Sequence, residues 1–221
     1  MSYRTSDARE QFDSWSARYD RDLLQALIFK PSHEMMLDWL GPGVARVLDI
    51  GCGTGLFAAR LRERFAHSRV YGLDLSRPML RQGLARCQAA GGRVWQVQAD
   101  SQRLPFADNA FDAVTCSHSF HHYPRQDRVM AEMHRVLRPR GRLLIIDGDR
   151  DRPWGRLLFD VIVVFLEGRV RHLTSRAFRE LYRRSGFDNI SQRRRRGLAP
   201  FLLTVGEAVK ESAAVAPRSV A

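Results

Sequence analysis

Residues 47–55 read VLDIGCGTG, an apolar run followed at once by Gly51, Gly53 and Gly55. The run suits a strand buried on both faces. A glycine-rich turn after such a strand lets backbone approach a ligand closely and aims helix N-terminal N–H groups at it. Dinucleotide-binding loops space their glycines as GxGxxG around a pyrophosphate. Here the pattern is GxGxG, and Leu56 stands where the third dinucleotide glycine would fall. Asp49 precedes the loop; a carboxylate there suits an ammonium or sulfonium cation better than a pyrophosphate.

Downstream of this loop, strand and helix signals alternate. Strands are expected over 44–50, 69–75, 93–99, 111–116 and 142–147, with helices over 56–65, 78–90 and 126–137. Pro78 is well placed in a first helical turn, and Pro139 and Gly141 close the third helix. Such alternation implies a parallel sheet covered by helices on both faces. Beyond residue 147 the pattern changes to an apolar helix (154–167), a mixed helix (175–185) and two strands near 189–195 and 201–208. Their short connection makes them an antiparallel pair at the sheet edge. The expected fold is α/β and Rossmann-like: a seven-stranded, mostly parallel sheet with an antiparallel edge strand. Upstream, Phe12, Trp15, Tyr19, Leu23 and Leu27 fall at helical spacing. A short helix over 32–40 follows, with Ser32 as N-cap, and Gly41-Pro42-Gly43 ends it. Domain boundaries follow: a helical cap at 1–43, the α/β domain at 44–210 with a lid-like insert at about 150–172, and a frayed tail at 211–221.

Composition sets limits. The 221 residues fit one domain. Cys52, Cys87 and Cys116 form no CxxC pair, which points to neither disulfides nor zinc and fits a reducing cytoplasm. The polar N-terminus lacks the apolar core of a secretory signal. Net charge is +12, and Lys30 and Lys210 are the only lysines among 36 basic residues. Arginine is scattered, apart from the run Arg193–Arg196. This favours a compositional origin over a nucleic acid or anionic membrane partner.

Two more acids stand where a nucleoside could be read. Asp74 ends the second strand, where a carboxylate can accept ribose hydroxyls. Asp100, followed by Ser101, ends the third, where it could accept an exocyclic amine.

VLDIGCGTG (47–55), GLDLSRPML (72–80), ADSQRLPFADNAFDAV (99–114) and EMHRVLRPRGRLLIID (132–147) together resemble the class I S-adenosylmethionine-dependent methyltransferases. The likeness is to the type 11 set that includes the ubiquinone/menaquinone C-methyltransferases. It is detailed over 44–147 and looser to the end of the last strands. The resemblance implies S-adenosylmethionine as methyl donor and S-adenosylhomocysteine as product. It implies that Asp49, Gly51, Cys52, Gly53 and Gly55 surround the methionine part and that Asp74 holds the ribose. Leu75 and Met79 would line the adenine, Asp100 and Ser101 would contact its edge, and Ser117 would lie near the methyl group. FDSWSARYD (12–20) resembles the family's start, which puts Tyr19 over the cofactor.

The acceptor side is less specific. Residues 117–124 read SHSFHHYP. The Asn/Asp-Pro-Pro-aromatic motif of base N-methyltransferases is missing, which disfavours methylation of nucleic acid bases. The quinone enzymes also differ here, which weakens a quinone assignment. His121 and His122 are candidates for a general base or acceptor-orienting role, because histidine titrates near neutrality, with structural packing as the plainer alternative. No metal site is expected. The apolar insert could line a pocket or pack on the core. A small, apolar or aromatic acceptor is expected, with an RNA methyltransferase and a non-catalytic cofactor-binding sensor as alternatives. A basic surface beside an apolar insert would also suit peripheral membrane contact.

Overall fold

A computed structural model describes residue 13 and residues 23–89, 94–167, 170–195, 197 and 199–210. Tyr19 and the 211–221 tail lie outside the described residues.

The first described helix, α1 (Leu23–Leu40), is continuous and contains Pro31. The sequence pattern instead predicts a separate helix over 32–40 capped by Ser32, and a helix-interior proline removes one hydrogen bond and costs about 3 kcal/mol. Packing overrides it. Met36, Leu37 and Leu40 are buried with Phe57 and Leu61 of the next helix, and Ser32 is fully buried inside the helix rather than capping one.

The α/β alternation then runs as expected: β1 (Arg46–Ile50), α2 (Leu56–Arg64), β2 (Arg69–Asp74), α3 (Arg77–Ala89), β3 (Val94–Gln98), β4 (Phe111–Ser117), α4 (Gln126–Val136) and β5 (Leu137–Gly148). The insert is α5 (Pro153–Leu157), a π-turn at Leu158–Ile162 and α6 (Val163–Glu167). The chain closes with α7 (Ser175–Arg184), β6 (Phe187–Arg195) and β7 (Phe201–Ala208). The seven strands lie in the order β3-β2-β1-β4-β5-β7-β6. β1 to β5 are mutually parallel, β7 is antiparallel to β5, and β6 is antiparallel to β7. The two last strands thus form the expected antiparallel edge pair, with the reversed strand on the inner side.

Alternation along the central strands feeds two cores, one on each face. Leu48, Val114, Leu143 and Ile145 pack with Met130, Met133, Phe178 and Tyr182 beneath α4 and α7. Val47, Ala113, Leu144 and Ile146 pack with Met36, Phe57 and Leu61 beneath α1 and α2. The strand order reverses between β1 and β4, so their carboxyl ends open a crevice there, the usual ligand position in such sheets.

Two clamps hold the crevice walls. Gly55 begins α2 at φ 74°. A Cβ there would come within 3.0 Å of the Gly83 Cα on α3. On the far side, Arg135 of α4 bonds the carbonyl oxygens of Leu104 and Phe106, and Glu132 accepts from the Leu104 amide at 2.7 Å. These bonds fix the loop that follows Asp100. Among the described residues, no helix is long and apolar enough to cross a membrane. Gly55→Ala should destabilise the fold by about 2–4 kcal/mol, from left-handed strain plus backbone overpacking. The urea midpoint measures this, and an unchanged midpoint would refute the clamp.

Candidate active site

The β1–α2 loop is strapped to the neighbouring strand. The amides of Gly51 and Cys52 both donate to the Leu73 carbonyl, at 2.8 and 3.1 Å. Gly51, Gly53 and Gly55 all take positive φ. At Gly51 a Cβ would strike the Ser119 Oγ and come within 2.8 Å of the Tyr123 OH, whereas nothing lies within 4 Å of a Cβ at Gly53. Gly51 therefore admits the β4 loop, and Gly53 leaves room for a ligand. Gly55 lines neither of the cavities described next, and its role is helix packing.

Two adjoining cavities share Gly51, Gly53, Ser117 and His118. The larger, about 740 Å³ and open to solvent, is walled by Asp74, Leu75, Met79, Asp100 and Ser101 on one side and by His122 and Tyr123 on the other. The smaller, about 370 Å³, holds Asp49 and Cys52 and is walled by Phe29 and His33 of α1. Of the residues expected to meet a cofactor, all the described ones except Gly55 line one of these spaces.

Each acid is set differently. Asp49 is 1% exposed, and the Thr115 hydroxyl donates to it at 2.8 Å. Burial pushes its carboxyl up to about 7; the Thr115 hydrogen bond opposes the shift and the nearby Asp74 adds to it. A cation beside Asp49 would relieve that cost. Asp74 accepts from the Gly53 amide (2.8 Å) and the Ser76 amide (2.9 Å). Burial raises its pKa, while those amides pull the other way. The Ser76 hydroxyl donates to Asp13 at 2.5 Å, which brings Asp13 to this wall. Asp100 is partly buried and accepts from the Gln102 amide at 2.9 Å.

The histidines divide. His122 lines the large cavity. His121 does not; its Nδ1 meets the Asp147 Oδ1 at 2.6 Å and its backbone amide donates to Oδ2 at 3.0 Å. Its ring stacks on His172 with centroids 4.2 Å apart. Burial opposes the charge on Asp147, yet His121 and His172 hold its carboxyl well below the usual range. His121, Asp147 and His172 bring ligand atoms within 4.8 Å of one another, all buried. The 2.6 Å contact is a hydrogen bond, and the His172 Nε2 lies 3.7 Å from the same carboxylate oxygen. The cluster ties the backbone of the loop that carries His122 to the end of β5.

His118 is a site residue with no local signal in the sequence. It adopts φ 53°, and its ring sits between Phe29 (4.7 Å) and Phe201 (4.4 Å). Burial pushes its imidazole down to about 3, against the pull of Asp147. Its Nε2 and the Ser117 Oγ are buried without a hydrogen-bond partner among the described residues. Two orphaned polar atoms at the junction of both cavities are what a ligand-binding cleft leaves for its ligand. Ser119 and Tyr123, bonded to each other at 3.1 Å, and Gln102 were also missed; only the cavity brings them together.

The methyltransferase-domain family model matches residues 48–145. The ubiquinone/menaquinone biosynthesis C-methyltransferase UbiE of Dinoroseobacter shibae is 36% identical over 141 residues, 62% of this chain and 56% of that protein. The match thus spans little more than half the length of such relatives. The demethylmenaquinone methyltransferase of Lactiplantibacillus plantarum is 31% identical over 169 residues, 66% of this chain and 71% of that protein. Among solved structures, magnesium protoporphyrin IX methyltransferase from Synechocystis PCC 6803, with bound S-adenosylhomocysteine, superposes with a TM-score of 0.77. It shares 18% identity and covers 93% of this chain and 100% of that one, a likeness of fold. With a glycine loop between Asp49 and Asp74, this strand order and these relatives, the chain belongs to the class I S-adenosylmethionine-dependent methyltransferases, in the type 11, UbiE-like branch.

Proposed function

We propose that the chain transfers a methyl group from S-adenosylmethionine to a small, largely apolar acceptor carrying one polar atom. The observation that carries this is the division of one continuous cleft. Carboxylates from the ends of β1, β2 and β3 line its cofactor wall, and uncharged histidines and a tyrosine line the facing wall.

The residues present fit the cofactor. Asp49 and the open space over Gly53 would take the cationic methionine end. Asp74 would take the ribose hydroxyls, and Leu75, Met79, Asp100 and Ser101 the adenine. The cofactor supplies a sulfonium-bound methyl as electrophile. The protein's part is then alignment, where proximity contributes roughly 7–11 kcal/mol. His118 and His122 are held neutral by burial, so neither repels a cation bound nearby. Each can offer a ring nitrogen to the acceptor's polar atom. His122 is the better placed to orient the acceptor or take its proton, and His121, fixed on Asp147, positions it. The names of the relatives favour a quinone-type ring; Tyr123 and Pro124 in the facing wall suit one.

Calorimetric titration should give donor and product binding that weakens by about tenfold or more in Asp74→Ala, since each charge-assisted bond contributes roughly 1.5–3 kcal/mol. No binding to the wild type would refute the assignment, and binding without turnover on any ring acceptor would leave a sensor.

Asp49 adds a pH signature. Its carboxyl must be ionised to meet a cation and titrates at about 7 in the free protein. Donor affinity should therefore rise as pH increases from 5.5 to 7, by roughly tenfold per unit at the acid end, and level off above 7. Asp49→Asn should bind weakly with this rise removed. A rise that persists in Asp49→Asn would assign it to another group.

A further inference from the structure

The insert between β5 and α7 does not line either cavity. Phe159 anchors it, 5% exposed, against His172 (4.8 Å) and Phe201 (6.1 Å). Leu158 and Val163 lean on the same core. Its outer face is apolar and uncovered. Phe165 is 88% exposed and Val161 56%, with Leu157, Ile162, Val164 and Trp154 beside them. Six of the eight large hydrophobic residues exposed among the described ones fall within these 12 positions. Concentration of that kind marks an interaction surface rather than ordinary surface scatter.

The charges around the face indicate what covers it. Arg152 and Arg156 are exposed and make no ion pair among the described residues. Asp160, the acid within the stretch, is held by Arg150 at 2.7 Å. A second copy docked by this face would bring arginines together, and Asp160 is already paired with Arg150. An anionic bilayer meets both needs, with acyl chains for Val161 and Phe165 and acidic headgroups for Arg152 and Arg156. A tryptophan at one end of an apolar face suits the headgroup boundary.

We propose that residues 152–165 form an interfacial membrane anchor that seats this chain on anionic lipid. The contact needs only the insert's outer face and holds whatever acceptor the cleft takes. It would bring the cleft to a layer in which an apolar acceptor is concentrated.

The test is co-sedimentation of the full chain with vesicles of phosphatidylcholine alone and of phosphatidylcholine with phosphatidylglycerol, at physiological ionic strength. The wild type should pellet with the anionic vesicles. Val161→Ser/Phe165→Ser should lose about tenfold or more of the partitioning. Arg152→Gln/Arg156→Gln should lose on the order of tenfold on anionic vesicles and little on neutral ones. Both pairs are exposed, so thermal melting and donor binding should stay at wild-type values. Anionic vesicles should also shift tryptophan emission to the blue in the wild type and not in Trp154→Phe. Absence of pelleting, or variants that pellet like the wild type, would overturn the proposal. So would a concentration-dependent dimer abolished by the Val161/Phe165 pair without vesicle binding, which would assign the face to a second copy.

Discussion

The Leu73 carbonyl accepts hydrogen bonds from the amides of both Gly51 and Cys52, and the arrangement of the cleft depends on that pair of bonds. It bends the chain sharply at the end of β1 and ties the loop to the end of β2. Asp49 and Asp74 are thereby brought to the same opening from different strands. The turn requires left-handed backbone at Gly51, and the space that its missing side chain leaves is filled by Ser119 and Tyr123 from the β4 loop. A larger residue would push the Tyr123 wall of the cleft away from the Asp74 wall. One conformational requirement of one residue type thus couples the two halves of the site.

The electrostatics of the cleft follow from burial more than from net charge. The chain carries +12, yet the cleft is acidic on one side and neutral on the other. Three histidines, buried His33 and His122 and half-buried His118, are pushed down by desolvation, and Asp49 is pushed up by the same cause. A cation entering the cleft meets carboxylates and uncharged imidazoles. The arginines stay outside; Arg194, from the 193–196 run, is taken up by Asp149 at 3.0 Å. That pairing lowers the standing of the run as a nucleic acid patch, since a neutralised arginine releases no counterion on binding phosphate.

The fold was legible because its signals are local and repeated. Apolar runs of strand length, glycines directly after the first of them, and helical stretches between strands have few alternative solutions. The acids at strand ends were legible for a related reason, because a residue at the end of a parallel strand has its position fixed by the strand. The helix at 23–40 reads in sequence as two, since Ser32 resembles an N-cap, and only packing on α2 carries one helix through Pro31. His121 and His122 read alike in sequence. One faces the cavity and the other is bound to Asp147, a partner 26 residues away.

By itself, then, the sequence determined the strand–helix order, the glycine turn and the carboxylates that line one side of the cleft, because each is set by neighbours within a few residues. Tertiary structure alone decided which histidines face the cleft, why they are neutral, and that the apolar insert turns outward. Those properties depend on burial and on partners distant in the chain. Periodicity can mark a residue as apolar or titratable, but only the assembled sheet determines which face of it meets water.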